Sequence, residues 1–348
     1  MPSDRPTIGI DCRFAATNSG IGRYTRELVK HLLQHDDPWN YVLFTNEQPT
    51  TNNEQRVTYY SLPTTHYSLG EQFFLPRAIR KANIDLFHSP HFNTPIFSRV
   101  PLVATIHDLI LHEFPNQASL PKHIAYQILM KHTVLRASHI IAVSHATKKD
   151  LEKNYGEDIA QKTSVIYEGI SEEFQPRGES EKQRVKNLYT LPQEFFLYVG
   201  ACKEHKNVQM LIDALPKDAF LVLVTGGKEV QSLRLKENVK ILSSIPEEDL
   251  PALYSLARCF VSPSLAEGFN FPVLEAMRCG CPVIATNRGS TPEVAGGCAL
   301  LIEPVEEALR SALKNPPQGN RELAIAHARK FSWEKAAQQT AKIYTSCL

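Results

Sequence analysis

Two glutamates, Glu267 and Glu275, enclose the run Glu267-Gly-Phe-Asn-Phe-Pro-Val-Leu-Glu275. Their chemistry would be the acceptance of hydrogen bonds from the hydroxyl groups of a ligand. Pro272 suits the first helical position, where a missing N–H costs nothing, and Phe271 and Val273 then offer backbone N–H groups to an anion. Glu275 falls in the first helical turn, with its side chain leaning back toward the helix start, while Glu267 stands in the preceding loop. Either glutamate alone would read as a solvated surface carboxylate. The glycine turn, the proline and the flanking apolar runs VSPS and PVIAT all agree with a strand, loop, helix and strand unit, and agreement between levels outweighs any single residue. Asn270 fits the loop because asparagine tolerates left-handed backbone.

Other candidates are scattered along the chain. Gly20 and Gly22 follow the strand TIGID and open a helix whose face is Ile21, Tyr24, Leu28 and Leu32. Lacking side chains, the two glycines let backbone N–H groups approach a phosphate or sugar, or simply make a tight turn. His107 and Asp108 end the apolar strand LVATI, where doubly wound sheets place ligands. There the imidazole could donate to a sugar hydroxyl with Asp108 fixing its tautomer, or be structural. Lys203, Lys206 and Asn207 follow the strand FFLYVG. The His88-Ser-Pro-His91 spacing invites a zinc reading, but Pro90 opposes a regular helix and no third ligand is evident, so no metal is expected.

These residues need a scaffold with strand ends facing a ligand. At 348 residues the chain exceeds what one core usually supports, so two domains are expected. Apolar runs at 7–11, 41–46, 85–90, 102–109, 139–144 and 164–169, then at 195–200, 220–227, 239–245, 258–264 and 282–286, alternate with helical patterns. This is the signature of α/β layering on parallel sheets. The polar stretch Ser171–Gln193 reads as the interdomain linker, and the segment after Ser332 reads as a helix with Trp333, Ala336, Ala337, Ile343 and Tyr344 on its apolar side. The expected domains are therefore 1–172 and 173–331. A hydrophobic content of 43% with 22% charged residues contains no run long enough to span a bilayer. With no apolar leader before the first strand, the cytoplasm is the expected compartment. Seven scattered cysteines do not make a disulfide framework in a chain this long, and a net charge of +1 gives no argument for nucleic acid. The region Leu120–Arg136, with Lys122, His123, Lys131, His132 and Arg136 among aliphatic residues, reads either as a basic amphipathic helix for anionic lipid or as an ordinary helix with a solvated face.

The segment from Glu267 to Glu275 closely resembles the E-x7-E signature of retaining glycosyltransferases of family 4, which have the GT-B architecture. The run Gly20-Ile-Gly-Arg-Tyr-Thr-Arg-Glu-Leu28 looks like the N-terminal signature of a bacterial O-antigen mannosyltransferase branch of that family. The resemblance covers nearly the whole chain. It implies two Rossmann-like domains facing across a cleft, an acceptor domain first and a donor domain second, with the helix 332–348 crossing back to the first. It further implies that Glu267 contacts the donor sugar, Glu275 the ribose and Lys206 the diphosphate, with His107 close to the sugar. Asn270 stands where the family usually has glycine, and Ala201 where many relatives have arginine, a charge that Lys203 or Arg23 would have to supply. Helix dipoles and basic side chains replace a metal in such enzymes, so neither metal nor cofactor is expected. The implied donor is GDP-mannose and the implied acceptor a glycan or lipid-linked glycan of a cell-surface polysaccharide such as lipopolysaccharide. Retention would proceed by same-face displacement, the departing diphosphate helping to deprotonate the acceptor. A UDP-sugar donor is the alternative within transferases, a GT-B UDP-sugar 2-epimerase the alternative enzyme, and a noncatalytic sugar-binding module the alternative outside enzymes. The presence of Glu267, Glu275 and Lys206 speaks against the last.

Overall fold

A computed structural model describes residues 5–46, 56–68 and 70–348. The chain divides into two compact units, one of Met1–Leu109, Ala118–Gly169 and Trp333–Leu348, the other of Ile110–Gln117 and Ile170–Ser332.

In the first unit, strands β1 (Thr7–Asp11), β2 (Asn40–Thr45), β3 (Val57–Ser61), β4 (Leu86–Ser89), β5 (Leu102–Ile106), β6 (His139–Ala142) and β7 (Thr163–Val165) form one sheet in the order β3-β2-β1-β4-β5-β6-β7. Every pairing is parallel. Both faces of a parallel sheet are covered by its crossover helices, which is why the inner strands read as unbroken apolar runs. Ile8, Ile10, Phe87, Val103, Ile140 and Ile141 are all buried. The helix Gly20–Gln34 buries Tyr24, Leu28 and Leu32, three of the four residues expected on its apolar face; Ile21 is half-buried. The C-terminal helix Trp333–Cys347 packs on it and buries all five of its expected apolar residues.

The second unit repeats the plan with β8 (Phe196–Val199), β9 (Leu221–Val224), β10 (Val239–Leu242), β11 (Cys259–Ser262), β12 (Val283–Thr286) and β13 (Leu300–Ile302), ordered β10-β9-β8-β11-β12-β13 and parallel throughout. Its core includes Leu197, Val222, Val261 and Ile284.

Three features differ from the sequence reading. The segment Ser171–Gln193 is not a bare linker: it lies in the second unit and contains the helix Glu179–Leu188, polar because Val185 is its one buried residue. The short segment Ile110–Gln117 belongs to the second unit although it sits within the sequence of the first. Strands β3 and β13 escaped the reading of apolar runs because they are short, half-exposed edge strands.

Candidate active site

In the second sheet the strand order reverses between β8 and β11. Loops leaving the carboxyl ends of strands at such a reversal part to opposite sides and leave a crevice, the usual ligand site of an open α/β sheet. Lys206 follows β8 and Glu267 follows β11. The Lys206 Nζ donates to both carboxylate oxygens of Glu267, at 2.7 and 2.8 Å. The two side chains are 21% and 8% exposed, so the pair is largely withdrawn from water. Two residues that the sequence reading gave separate tasks thus form one ion pair at the switch point. An ammonium has three N–H donors, so one remains for a phosphate oxygen.

Backbone contacts hold this pair in place. Leu265 N donates to His205 O at 2.7 Å, tying the Glu267 loop to the Lys206 turn, and Ser290 N donates to Glu267 O at 3.1 Å. Gly289 makes the last contact possible. It adopts φ +54°, and a Cβ there would lie 2.7 Å from both the N and the O of Glu267. His205 is buried next to Lys206, and burial followed by the lysine's charge pulls its pKa down to about 4.

Asn270 caps the next helix, Phe271–Arg278, in the left-handed region at φ 69°, ψ 58°. Its Nδ2 donates to Ser262 Oγ at 3.1 Å and to Thr291 Oγ1 at 3.0 Å, so the side chain joins β11 to the helix start at Thr291. Phe271 and Pro272 are the first two residues of their helix, so the proline stands second and not first. Two further expectations fail here. Val273 N is not an open amide, because it donates to Asn270 O at 3.1 Å in a tightened first turn. Glu275 is the fifth helical residue and lies outside the first turn; it is 2% exposed and accepts a 2.7 Å bond from Tyr254 Oη. Lys203 is exposed, its carbonyl accepting from Lys206 N at 2.9 Å, and Ala201 O accepts from Tyr198 Oη at 2.7 Å.

In the first unit, Gly20 opens its helix at an exposed position and Gly22 is buried. Ser19 Oγ caps Gly22 N at 3.1 Å, and a Cβ on Gly22 would lie 2.2 Å from Thr17 O. Gly22 therefore serves the chain's own tight turn, and its N–H is not offered to a phosphate. The charge of Arg23 bears on Glu168. His107, just beyond β5, is engaged at both ring nitrogens and at its carbonyl: Nδ1 is 2.9 Å from Glu168 Oε1, Nε2 is 2.9 Å from Pro90 O, and the carbonyl accepts from Thr147 Oγ1 at 2.9 Å. Burial pulls the imidazole pKa down, but the hydrogen bond and charge of Glu168, then the Pro90 carbonyl and Asp108, outweigh it and leave it raised. His88 and His91 are buried within a protein hydrogen-bond network. His88 bonds Tyr344 Oη at 2.5 Å and Thr105 Oγ1 at 2.9 Å, while His91 Nε2 lies 3.1 Å from Tyr67 Oη. Among the described residues no cluster of His, Cys, Asp or Glu is placed to hold a metal ion, and no helix is long and apolar enough to cross a membrane.

The model for Glycosyltransferase Family 4 matches residues 18–174, and the model for Glycosyl transferases group 1 matches residues 179–331. O-antigen chain mannosyltransferase B of Escherichia coli is 30% identical over an alignment of 370 positions, which covers 94% of this chain and 96% of that protein. The chain belongs to glycosyltransferase family 4. It is a glycosyltransferase, and its two Rossmann-like domains have the GT-B fold. A sucrose-phosphate synthase from Thermosynechococcus elongatus superimposes with a TM-score of 0.79 at 21% identity, covering 98% of this chain and 99% of that one. HepE of Anabaena, solved with UDP-glucose, superimposes at 0.74 with 20% identity and coverage of 98% and 99%. Within this family 4 chain, Glu168, Tyr254 and Gly289 are the site-bordering residues that the sequence reading did not single out. Each meets its partner from a different loop or helix, and no local motif announces such a contact.

Proposed function

We propose that this glycosyltransferase moves mannose from GDP-mannose onto a glycan or lipid-linked glycan acceptor in cell-surface polysaccharide synthesis, with retention and without a metal. The observation that carries the reading is the Lys206–Glu267 pair at the switch point of the second sheet. Departure of a nucleoside diphosphate concentrates negative charge on its phosphates, and a fixed ammonium stabilises that charge as it develops. Lys206 and Lys203 take the diphosphate, with the helix start at Asn270, Phe271 and Pro272 beside it. Glu267 orients the sugar hydroxyls, its position fixed by Lys206 and the Gly289 turn. Glu275 takes the ribose; Tyr254 holds the carboxylate until the nucleotide competes for it. His107 contributes a hydrogen bond to a sugar hydroxyl, and the Gly20 turn borders the substrate. The mannosyl assignment leans on the name of the Escherichia coli relative. A UDP-sugar donor is the second reading, favoured by the UDP-glucose bound to the Anabaena neighbour of the same fold. The exposed aliphatic face of the helix Leu120–Arg136 would rest on anionic lipid at the cytoplasmic side of the membrane, where a lipid-linked acceptor is found.

Calorimetric titration of GDP-mannose, UDP-glucose and UDP-N-acetylglucosamine in chelator tests this directly. Selective GDP-mannose binding, weakened by Glu275→Ala, is expected. Preference for a UDP-sugar would keep the site and replace the donor, and conversion of a UDP-sugar without acceptor would make the enzyme an epimerase.

A further inference from the structure

Glu168 is a buried carboxylate that the proposed donor chemistry does not use. It lies just beyond the end of β7, is 1% exposed, and directs Oε1 at the Nδ1 of His107. The other ring nitrogen faces Pro90 O, just beyond the end of β4. A carbonyl can only accept, so Nε2 carries a hydrogen in this arrangement. Carboxylates at the far nitrogen of a functional imidazole fix its tautomer and its ring plane. His107 is thereby clamped to three neighbours: the loop after β7, the loop after β4, and Thr147, which donates to its carbonyl from the helix His145–Tyr155. The edge-on ring of Tyr24, with centroids 4.8 Å apart at 88°, closes another side.

We propose that Glu168 is the positioning residue of the transfer site, holding the proton on His107 Nδ1 so that Nε2–H is a standing donor, given to Pro90 O at rest and to a sugar hydroxyl of the substrate during reaction. The proposal rests on the reading that His107 meets the sugar. It explains why a carboxylate is kept dry beside a histidine: without it a buried imidazole loses its second proton, and the hydrogen left on Nε2 is no longer given by a charged ring. The charged and titratable groups around the pair act in both directions. Burial, the largest effect on Glu168, raises its pKa, and Asp108 adds to that, while His107 and Arg23 favour the carboxylate; Asp108 also favours the protonated ring, and His88, His91 and Tyr24 complete the surroundings as neutral groups. Glu168→Gln keeps the size and a hydrogen bond but removes the charge, so the ring should revert to a single proton.

Nitrogen NMR of the full-length chain labelled at histidine provides the test, with His107 assigned by the signal missing from His107→Asn. Both His107 nitrogens should carry protons at neutral pH in the unaltered protein, and Nε2 should shift when a nucleotide sugar that calorimetry shows to bind is added. In Glu168→Gln the ring should titrate lower and the ligand-induced shift should shrink. Turnover should then fall by about 10-fold to 100-fold, the scale seen when the partner of a ligating histidine is removed, while Glu168→Asp restores part of it. A ring that is singly protonated at neutral pH in the unaltered chain overturns the proposal, as does a Nε2 signal unmoved by bound nucleotide sugar. An unchanged titration in folded Glu168→Gln overturns it as well. Failure of every nucleotide sugar to bind is a different result: it removes the donor reading, and the proposed exchange from Pro90 O to a sugar falls with it.

Discussion

Lys206 and Glu267 show how a site can be assembled from two weak signals. An exposed lysine and an exposed glutamate contribute little when paired in water, whereas a pair withdrawn from solvent must stay together, because removing one partner leaves the other charge uncompensated. What keeps this pair in register is backbone geometry, and Gly289 is its most sensitive point. Any Cβ at that position collides with the Glu267 main chain while also occupying a left-handed conformation. Gly289→Ala should therefore displace the Glu267 loop, and a misplacement of about 1 Å costs on the order of 100-fold in rate. Steady-state kinetics beside thermal unfolding would show it. A loss of turnover much larger than the loss of stability is expected; a variant as active as its parent would mean that the turn does not position Glu267. The sequence displayed Glu267, Glu275 and Lys206 because their neighbours carry turn, proline and strand signals. It could not display that Glu275 is bonded to Tyr254, or that His107 is clamped by Glu168. Partners 21 and 61 residues away are chosen by strand order, which leaves no trace in local spacing.

Elements were more legible than contacts. Each inner strand is buried on both faces and therefore appears as an apolar run, while β3, with no fully buried residue, and the three-residue β13 offer too little apolar length to register. The helix Leu120–Arg136 is the element whose sequence admitted two readings. Its inner side, Tyr126, Met130, Thr133 and Val134, is buried, as an ordinary domain helix requires. Yet Leu120, Ile124, Ile128 and Leu135 are all largely exposed, and at 3.6 residues per turn they fall within about 80° of arc. The helix contains no acidic residue, and Lys122 and Lys131 are exposed on it. An apolar stripe among cations fits an anionic bilayer surface. Sedimentation with phosphatidylglycerol vesicles is expected to carry the protein down at low salt and less so at high salt, with phosphatidylcholine vesicles carrying little. Changing Ile124 and Ile128 together to serine should weaken binding about tenfold or more, since burying one such side chain contributes roughly 1.5–3 kcal/mol. Undiminished sedimentation of that variant would leave the stripe without a role in docking.

Across the whole molecule, buried neutral histidines set how stability responds to acid. His88 in the first unit has its pKa lowered to about 3 by burial and then by His107, and His205 in the second is lowered to about 4 by burial and then by Lys206. His91 is lowered too, for reasons of burial and the nearby His107 and His66. An unfolded chain binds a proton at each of these sites once the pH drops below about 6.5, whereas the folded chain does not until the lowered values are reached. Stability is therefore full above about pH 6.5 and is lost as the pH falls, at about 1.4 kcal/mol per pH unit for each fully neutral site. His107 behaves oppositely. Its raised pKa keeps it protonated in both states below about pH 6.5, so it adds no slope there, and its contribution disappears only as the pH rises through the folded value. Most carboxylates stay ionised in both states down to about pH 5, while the buried Glu71 and Glu168, whose pKa values burial raises, take up protons earlier in the folded chain and oppose part of the histidine slope. Denaturant unfolding measured across that window should give a steadily falling stability. His205→Gln should reduce the slope for the second unit alone, because it removes the proton that only the unfolded chain accepts. An unchanged slope in that variant would show that His205 is already protonated in the folded protein, and that its bond to Gln117 Oε1 at 2.9 Å is that of an imidazolium.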